Sequence, residues 1–229
     1  MRTILAIETS SERASIALSY RGQVIAREAS GVQTHSQSVL PLAQQLLAEA
    51  GISLAQCEAI AFGAGPGSFT GVRTACGVAQ GLAFGADLPV VPVVTLQAMA
   101  QACRNTCGTN DVLVLLDARM DEVYWAQYRY LDGWQVIIEP ALSAPGDVAS
   151  LGTVIACGNG LTAYASAFEA LPVAQGACNG IMPHAVQIAQ LAQTELIAGR
   201  MLNARDAQPI YLRNKVALTT AERQAKVLA

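Results

Sequence analysis

Residues Gly65-Pro66-Gly67-Ser68-Phe69-Thr70-Gly71-Val72-Arg73 have the composition of a loop that cradles an anion. Glycine reaches positive φ without steric penalty, and Pro66 fixes its own φ and biases Gly65 towards an extended path. Ser68 and Thr70 are both candidate N-caps for the helix that follows. A strand–loop–helix junction of this kind aims backbone N–H groups outward at the positive end of a helix, where phosphates and carboxylates bind. Thr9 and Ser10, at the end of the first strand, offer further hydroxyls and N–H groups. Thr9, Ser10, Gly65, Gly67, Ser68 and Thr70 are therefore candidate nucleotide or phosphate contacts. The plainer alternative is a tight turn between strand and helix, which generic physics favours. No Gly-Lys-Ser/Thr follows, which excludes a Walker A loop, and the dinucleotide spacing Gly-x-Gly-x-x-Gly fails at Thr70.

The remaining reactive residues form no recognisable catalytic set. Asp117 and Asp121 share a turn and are candidates for a magnesium ion, but four-residue spacing in a turn says little. His35-Ser36 invites a nucleophile–base reading, yet adjacent side chains rarely face one another and no third orienting group is evident. There is no Gly-x-Ser-x-Gly elbow. The cysteines Cys57, Cys76, Cys103, Cys107, Cys157 and Cys178 include no Cys-x-x-Cys pair, and with His35 and His184 they allow no zinc constellation to be written. Reduced, core-filling thiols in the cytoplasm are expected. The expectation is a phosphate-friendly scaffold with no catalytic residue and no metal.

Two copies of one strand pattern must position these groups. Ile4–Ile7, a polar turn at 8–13, Ala14–Tyr20, the turn Arg21-Gly22 and Gln23–Glu28 are matched later in the chain. The match is Val112–Leu116, a polar turn at 117–121, Glu122–Leu131, the turn Asp132-Gly133 and Trp134–Glu139. Helix Ser38–Ala50, strand Glu58–Ala64, helix Gly71–Gly85, strand Pro89–Val94 and helix Leu96–Arg104 follow the first copy. Strand Thr153–Cys157 and helix Pro183–Arg200 follow the second, and Asn105–Asn110 is the natural linker. The pattern predicts a duplicated α/β architecture with mixed sheets flanked by helices. Pro41 fits only near a helix start, so Ser38 or Leu40 is the expected cap of the first helix.

Gly77, Gly81 and Gly85 recur at four-residue spacing, with Ala75, Ala79 and Ala83 as an adjoining small stripe. Interior glycines cost about 0.8–1 kcal/mol each relative to alanine unless close packing offsets them. The helix before offers Val39, Leu40, Ala43 and Leu47. The stretches 36–50 and 71–85 carry only Glu49 and Arg73 as charges, a composition suited to a partner or self-association surface or to the chain's own sheet.

Apolar residues make up 52% of the 229 and charged residues 14%, enough for a sizeable core. No apolar run approaches the ~20 residues of a membrane span, and the N-terminus reads as a first strand, not a signal peptide. The net charge of −3 gives no overall basic footprint for nucleic acid. Arg200, Arg205, Arg213, Lys215, Arg223 and Lys226 do make the C-terminal segment basic, either as a contact for RNA or an acidic partner or as a solvated terminal helix and tail.

Ile7-Glu8-Thr9-Ser10, His35-Ser36, the nonapeptide 65–73, Asp117-Ala118-Arg119 with Glu122-Val123-Tyr124, and Pro209-x-Tyr211-Leu212-Arg213 together resemble the TsaB family, also called YeaZ. The resemblance runs in order along nearly the whole chain. It implies the duplicated actin-like ATPase fold of sugar kinases, Hsp70 and actin, with residues 1–104 as a partner-binding N-terminal half, 105–213 as a C-terminal half and 214–229 as a tail. It implies a cytoplasmic role in making threonylcarbamoyladenosine beside the tRNA anticodon. The chain would be a partner of the transferase TsaD and the ATPase TsaE, a homodimer in their absence, and would meet tRNA only through the complex. ATP or ADP at the partner interface is the one cofactor the resemblance allows for. TsaD holds a metal through a histidine pair on its first long helix; here His35 is followed by Ser36-Gln37-Ser38, which implies no autonomous transfer. The contact surface would comprise Ser36, Val39, Leu40, Ala43, Leu47, Phe69, Val72, Arg73, Ala75, Cys76 and Ala79. The alternatives are an autonomous actin-like ATPase or small kinase resting on Thr9, Ser10 and the glycine loop, and, less favoured, a peptidase resting on His35-Ser36. Glu8, where such ATPases usually carry aspartate, weakens the first of these.

Overall fold

A computed structural model describes residues 1–29, 35–169 and 178–213. Strands β1 (Ile4–Glu8), β2 (Ala14–Tyr20) and β3 (Gln23–Ala29) form an antiparallel meander. Arg21 and Gly22 both take positive φ, 48° and 83°, as a two-residue hairpin turn requires. β4 (Ala59–Gly65) and β5 (Val90–Val94) add in parallel, giving the order β3-β2-β1-β4-β5. The second sheet repeats this design. β6 (Asp111–Asp117), β7 (Val123–Tyr130) and β8 (Trp134–Ser143) form its meander, and β9 (Ile155–Cys157) lies parallel to β6, giving β8-β7-β6-β9. The expected duplication is present over four strands of each sheet, a meander whose first strand takes a later parallel neighbour, and β5 has no counterpart in the second sheet.

The alternation of side chains along β1 divides the first core in two. Leu5 and Ile7 face α1 (His35–Ala50) and α2 (Phe69–Ala86), with Val39, Leu46, Phe62, Ala75, Ala79 and Ala83 in the same cluster. Ile4 and Ala6 face the other way, onto Ala185, Ile188, Ala189 and Ala192 of α6 (Ala185–Ile197). α3 (Thr95–Cys107) places Leu96, Met99 and Cys103 against Val112, Val114 and Tyr128 of the second sheet. The short helices α4 (Gly160–Ala163) and α5 (Ala165–Phe168) close that sheet's far face through Leu161 and Phe168, against Leu113 and Trp125. Two mixed sheets with flanking helices constitute the duplicated actin-like ATPase architecture.

Several local expectations are corrected. α1 begins at His35, not at Ser38 or Leu40, so Pro41 lies inside it. The missing N–H leaves the Gln37 carbonyl without its helical partner, which is tolerable because both residues are exposed to water. Ser68 alone caps α2, its hydroxyl accepting from the Gly71 N–H at 3.5 Å, whereas Thr70 is already helical. α3 runs on to Cys107, where Gly108 at φ 68° ends it, so the linker is shorter than drawn. Cys57, Cys76, Cys103 and Cys157 are buried free thiols, as expected, but Cys107 and Cys178 are bonded to each other. The fold brings the end of α3 to an isolated bridge between Cys157 and Cys178, a proximity across 71 positions that spacing does not show.

Candidate functional site

The glycine loop is shaped by backbones that pass close to it. A Cβ on Gly71 would lie 1.9 Å from the Thr9 carbonyl oxygen, and one on Gly67 would lie 2.6 Å from Ser10 Cβ. Gly65, at φ 104°, packs under the Ile210 carbonyl, and the Ile210 N–H donates to Ala64 O at 2.7 Å. The donors expected to face a ligand are partly used within the chain. Ser68 N–H donates to Ser10 O at 2.8 Å and Gly65 N–H to the Thr95 hydroxyl at 3.1 Å. Thr9 is fully buried and its hydroxyl donates to Gly71 O at 2.7 Å. Thr9 and Gly65 are thus structural, whereas Ser10, Gly67 and Ser68 line a cleft and Thr70 is exposed.

Glu8 lies beneath this junction with no exposure, one oxygen accepting from the Ser10 N–H at 2.5 Å and the other without a partner against Gly63. Burial raises its pKa, and hydrogen bonds from Ser10 and Thr95 offset only part of that. The folded state therefore holds this proton to higher pH than the unfolded chain does. Its contribution to stability is complete below the ordinary carboxylate range and declines as pH rises from there through the raised folded value. Glu8→Gln, which cannot ionise, is expected to flatten that decline. Urea titrations of both proteins between pH 4 and 8 check this, and parallel curves would refute it.

A cleft of about 540 Å³ opens where the polar turns of the two halves face each other. Ser10, Ser11 and Glu12 line one side, Asp117 to Met120 the other, Gly67 to Phe69 the base and Ile210 to Arg213 the rim. The Arg119 guanidinium meets the Glu12 carboxylate at 2.8 Å and so bridges the halves. Arg119, Met120 and Asp121 all take φ near 60°, a costly run for residues with side chains. Asp117 braces this turn by accepting from Arg119 N–H and from the Tyr164 hydroxyl, both at 2.8 Å. Burial first, and then Asp117 itself, push the Tyr164 phenol up to about 12. Among the described residues, Asp117 and Asp121 belong to no cluster of three or more acidic, histidine or cysteine ligands. Ser10 Oγ is buried at the cleft wall without a partner.

The helices present different surfaces from those expected. Val39, Ala43, Val72, Ala75, Cys76 and Ala79 are buried in the chain's own core and cannot meet a partner. Leu47 is half-buried, while Ser36, Leu40, Phe69 and Arg73 are exposed. The alanine stripe of α2 faces the sheet, whereas the glycine stripe faces outward. A Cβ on Gly77, Gly81 or Gly85 would meet nothing within 4 Å, and Phe84 between them is 83% exposed. At the start of α2, the Arg73 guanidinium lies 3.7 Å over the Phe69 ring, and its Nε donates to the Tyr211 hydroxyl at 2.8 Å. The basic C-terminal residues that are described are all engaged with carboxylates: Arg200 with Glu195, Arg205 with Asp206 and Arg213 with Glu122. Lys215, Arg223, Lys226 and the expected tail 214–229 lie outside the described residues. Among the described residues, no helix is long and apolar enough to cross a membrane.

Residues 4–212 match the family model described as TsaD, tRNA N6-adenosine threonylcarbamoyltransferase. Two curated relatives are each called tRNA threonylcarbamoyladenosine biosynthesis protein TsaB. That of Haemophilus influenzae is 38% identical over 93% of this chain and 94% of its own length. That of Escherichia coli is 36% identical over 93% and 96%. The chain belongs to the TsaB (YeaZ) family. A solved structure titled YeaZ from Pseudomonas aeruginosa superposes with a TM-score of 0.84 at 37% identity, covering 93% of this chain and all of that one. A second, titled as an uncharacterised protein with similarity to peptidase YeaZ from the same organism, reaches 0.86 over the same coverage. Membership places the chain in tRNA threonylcarbamoyladenosine biosynthesis. The segments on which the TsaB resemblance rested converge in space: 65–73, 117–124 and 209–213 meet around one cleft, through Arg73 with Tyr211 and Glu122 with Arg213. Asn159, whose Oδ1 accepts from the Asp117 N–H at 2.9 Å, and Ile210 also line the cleft and were not singled out in the sequence, because a motif match alone gives no distance between motifs.

Proposed function

We propose that this TsaB-family chain is a non-catalytic subunit that docks onto a TsaD-type transferase and stabilises it, with a TsaE-type ATPase joining the pair. The observation that carries this reading is the outward glycine face of α2. Three glycines weaken a helix interior and here relieve no contact within the chain. A surface without side chains lets a second backbone approach closely, and Phe84 offers an apolar anchor beside it. Ser36, Leu40, Phe69 and Arg73 extend the same flank. A second copy would use this surface when the transferase is absent, so homodimer and complex would compete.

The lack of a second histidine on the helix that begins at His35, and Glu8 sealed under the glycine loop, support a chain that lacks its own chemistry. ATP or ADP belongs, in this reading, to the cleft side of the assembled interface, and tRNA is met through the complex.

The deciding experiment is co-elution with the transferase. Gly81→Arg is expected to abolish it while the chain stays folded, because the new side chain enters open space. Retained co-elution would overturn the docking surface. Gly77→Ala and Gly81→Ala are each expected to raise the stability of the free chain by about 0.8–1 kcal/mol in urea unfolding. Steady ATP hydrolysis by the lone chain, lost on Ser10→Ala, would replace this reading with that of an autonomous ATPase.

A further inference from the structure

Four of the six cysteines gather where α3 ends against the second sheet. Cys103 and Cys107 stand one turn apart on α3 and share a face near its last carbonyls. Cys157 ends β9, and Cys178 is held beside it by a parallel bridge and by its N–H donating to Ala156 O at 3.0 Å. The sulfurs of Cys103, Cys107 and Cys178 all lie within 4.8 Å of one another. Cys157 lies buried beside them, its S–H donating to the Met99 carbonyl of α3 at 3.9 Å.

A cysteine that merely fills a core has no need of three sulfur neighbours. A plain disulfide does not account for the cluster either. The Cα atoms of Cys107 and Cys178 are 7.8 Å apart, beyond the roughly 4.4–6.8 Å that disulfides usually span. Two sulfurs that share an ion at about 2.3 Å each can stand on more widely spaced backbones. The donor set is all sulfur, which selects soft or borderline cations over magnesium or calcium. The partial negative charge at the C-terminus of α3 favours a cation there and disfavours bare thiolates. Cys107 and Cys178 are half-buried, so an ion has an entry path, while Cys103 forms the buried floor.

The geometry points to a three-thiolate site for a thiophilic cation of the zinc class, held in the reduced chain by Cys103, Cys107 and Cys178. Binding releases the three ligand thiol protons to solvent and moves no electrons, so affinity rises with pH. The Cys107–Cys178 bond consumes two ligands, so the bonded and metal-loaded forms exclude each other.

The test is an anaerobic titration of the full chain, reduced with a phosphine, using Co²⁺ and then Zn²⁺. One Co²⁺ per chain is expected, with the thiolate charge-transfer band and intense visible bands of a tetrahedral sulfur site, bleached on adding Zn²⁺. Cys178→Ser is expected to weaken binding at least tenfold. Cys57→Ser, a buried thiol outside the cluster, is expected to bind as the parent does. No charge-transfer band in the reduced parent, or one that survives in the Cys107→Ser/Cys178→Ser double variant, would overturn the site. Should these variants fail to fold, alkylation of the unaltered chain decides: Zn²⁺ must protect Cys107 and Cys178 from iodoacetamide, and unchanged labelling rates refute the proposal.

Discussion

Ala79→Arg is expected to prevent the chain from folding, and partner binding should disappear only as a consequence. Ala75, Ala79 and Ala83 have no exposure and pack with Phe62 and Leu46 between α2 and the first sheet. An arginine there would bury an unpaired charge and overfill a close-packed layer. Leaving a charge buried without its partner costs about 3–5 kcal/mol, a large share of the 5–15 kcal/mol that holds an ordinary domain together. Urea unfolding followed by circular dichroism measures this directly. Gly81→Arg, two positions along and on the opposite face, should keep its unfolding midpoint near that of the parent. A folded Ala79→Arg chain with an unchanged midpoint would show that α2 sits on its sheet the other way round.

Gly71→Ala should be nearly as damaging although it adds one methyl group. Its Cβ would lie 1.9 Å from the Thr9 carbonyl oxygen, a backbone atom with no side-chain freedom to yield. Relief requires α2 to move off the end of β1, which also breaks the hydrogen bond from the Thr9 hydroxyl to Gly71 O. The expected loss is about 3 kcal/mol, at the upper end for an overpacked site. Thr9→Val removes only the hydroxyl, and the Gly71 carbonyl keeps its acceptor role within α2, so the loss of one hydrogen bond, about 0.5–1.5 kcal/mol, is expected. The order Gly71→Ala worse than Thr9→Val, with Gly77→Ala neutral or stabilising, is the result to check by denaturant unfolding. Equal gains at Gly71 and Gly77 would mean that the glycines act only through helix propensity.

The duplication was legible because strands of period two, a polar turn and a two-residue hairpin turn recur in the same order, and each is a local signal. The helix faces were not equally legible. On α2 the alanine and glycine stripes both recur at four-residue spacing, and composition alone cannot tell which one meets the sheet. The rows differ by two residues, about 160° around the axis, so the wrong choice reversed the surface. The glycine loop has a second cause that its composition does not separate from ligand binding: glycine is required wherever a backbone comes close, and here the chain's own backbone approaches at Thr9 and Ile210. The thiol cluster was invisible because Cys178 is brought to Cys103 and Cys107 by the fold across at least 71 positions, with a bridge to Cys157 holding it there.

The two halves trade cover. α6, encoded late, seals the inner face of the first sheet, and α3, encoded early, lies on the second. A cut at the linker near Gly108 would therefore strip each fragment of a helix its sheet relies on, although no strand would be severed. Interior apolar residues such as Ile4 and Ala61 on one side, and Val112 and Val114 on the other, would face water. The molecule is therefore expected to melt as a single unit, and during synthesis one face of the first five strands stays uncovered until Ala185–Ile197 has emerged.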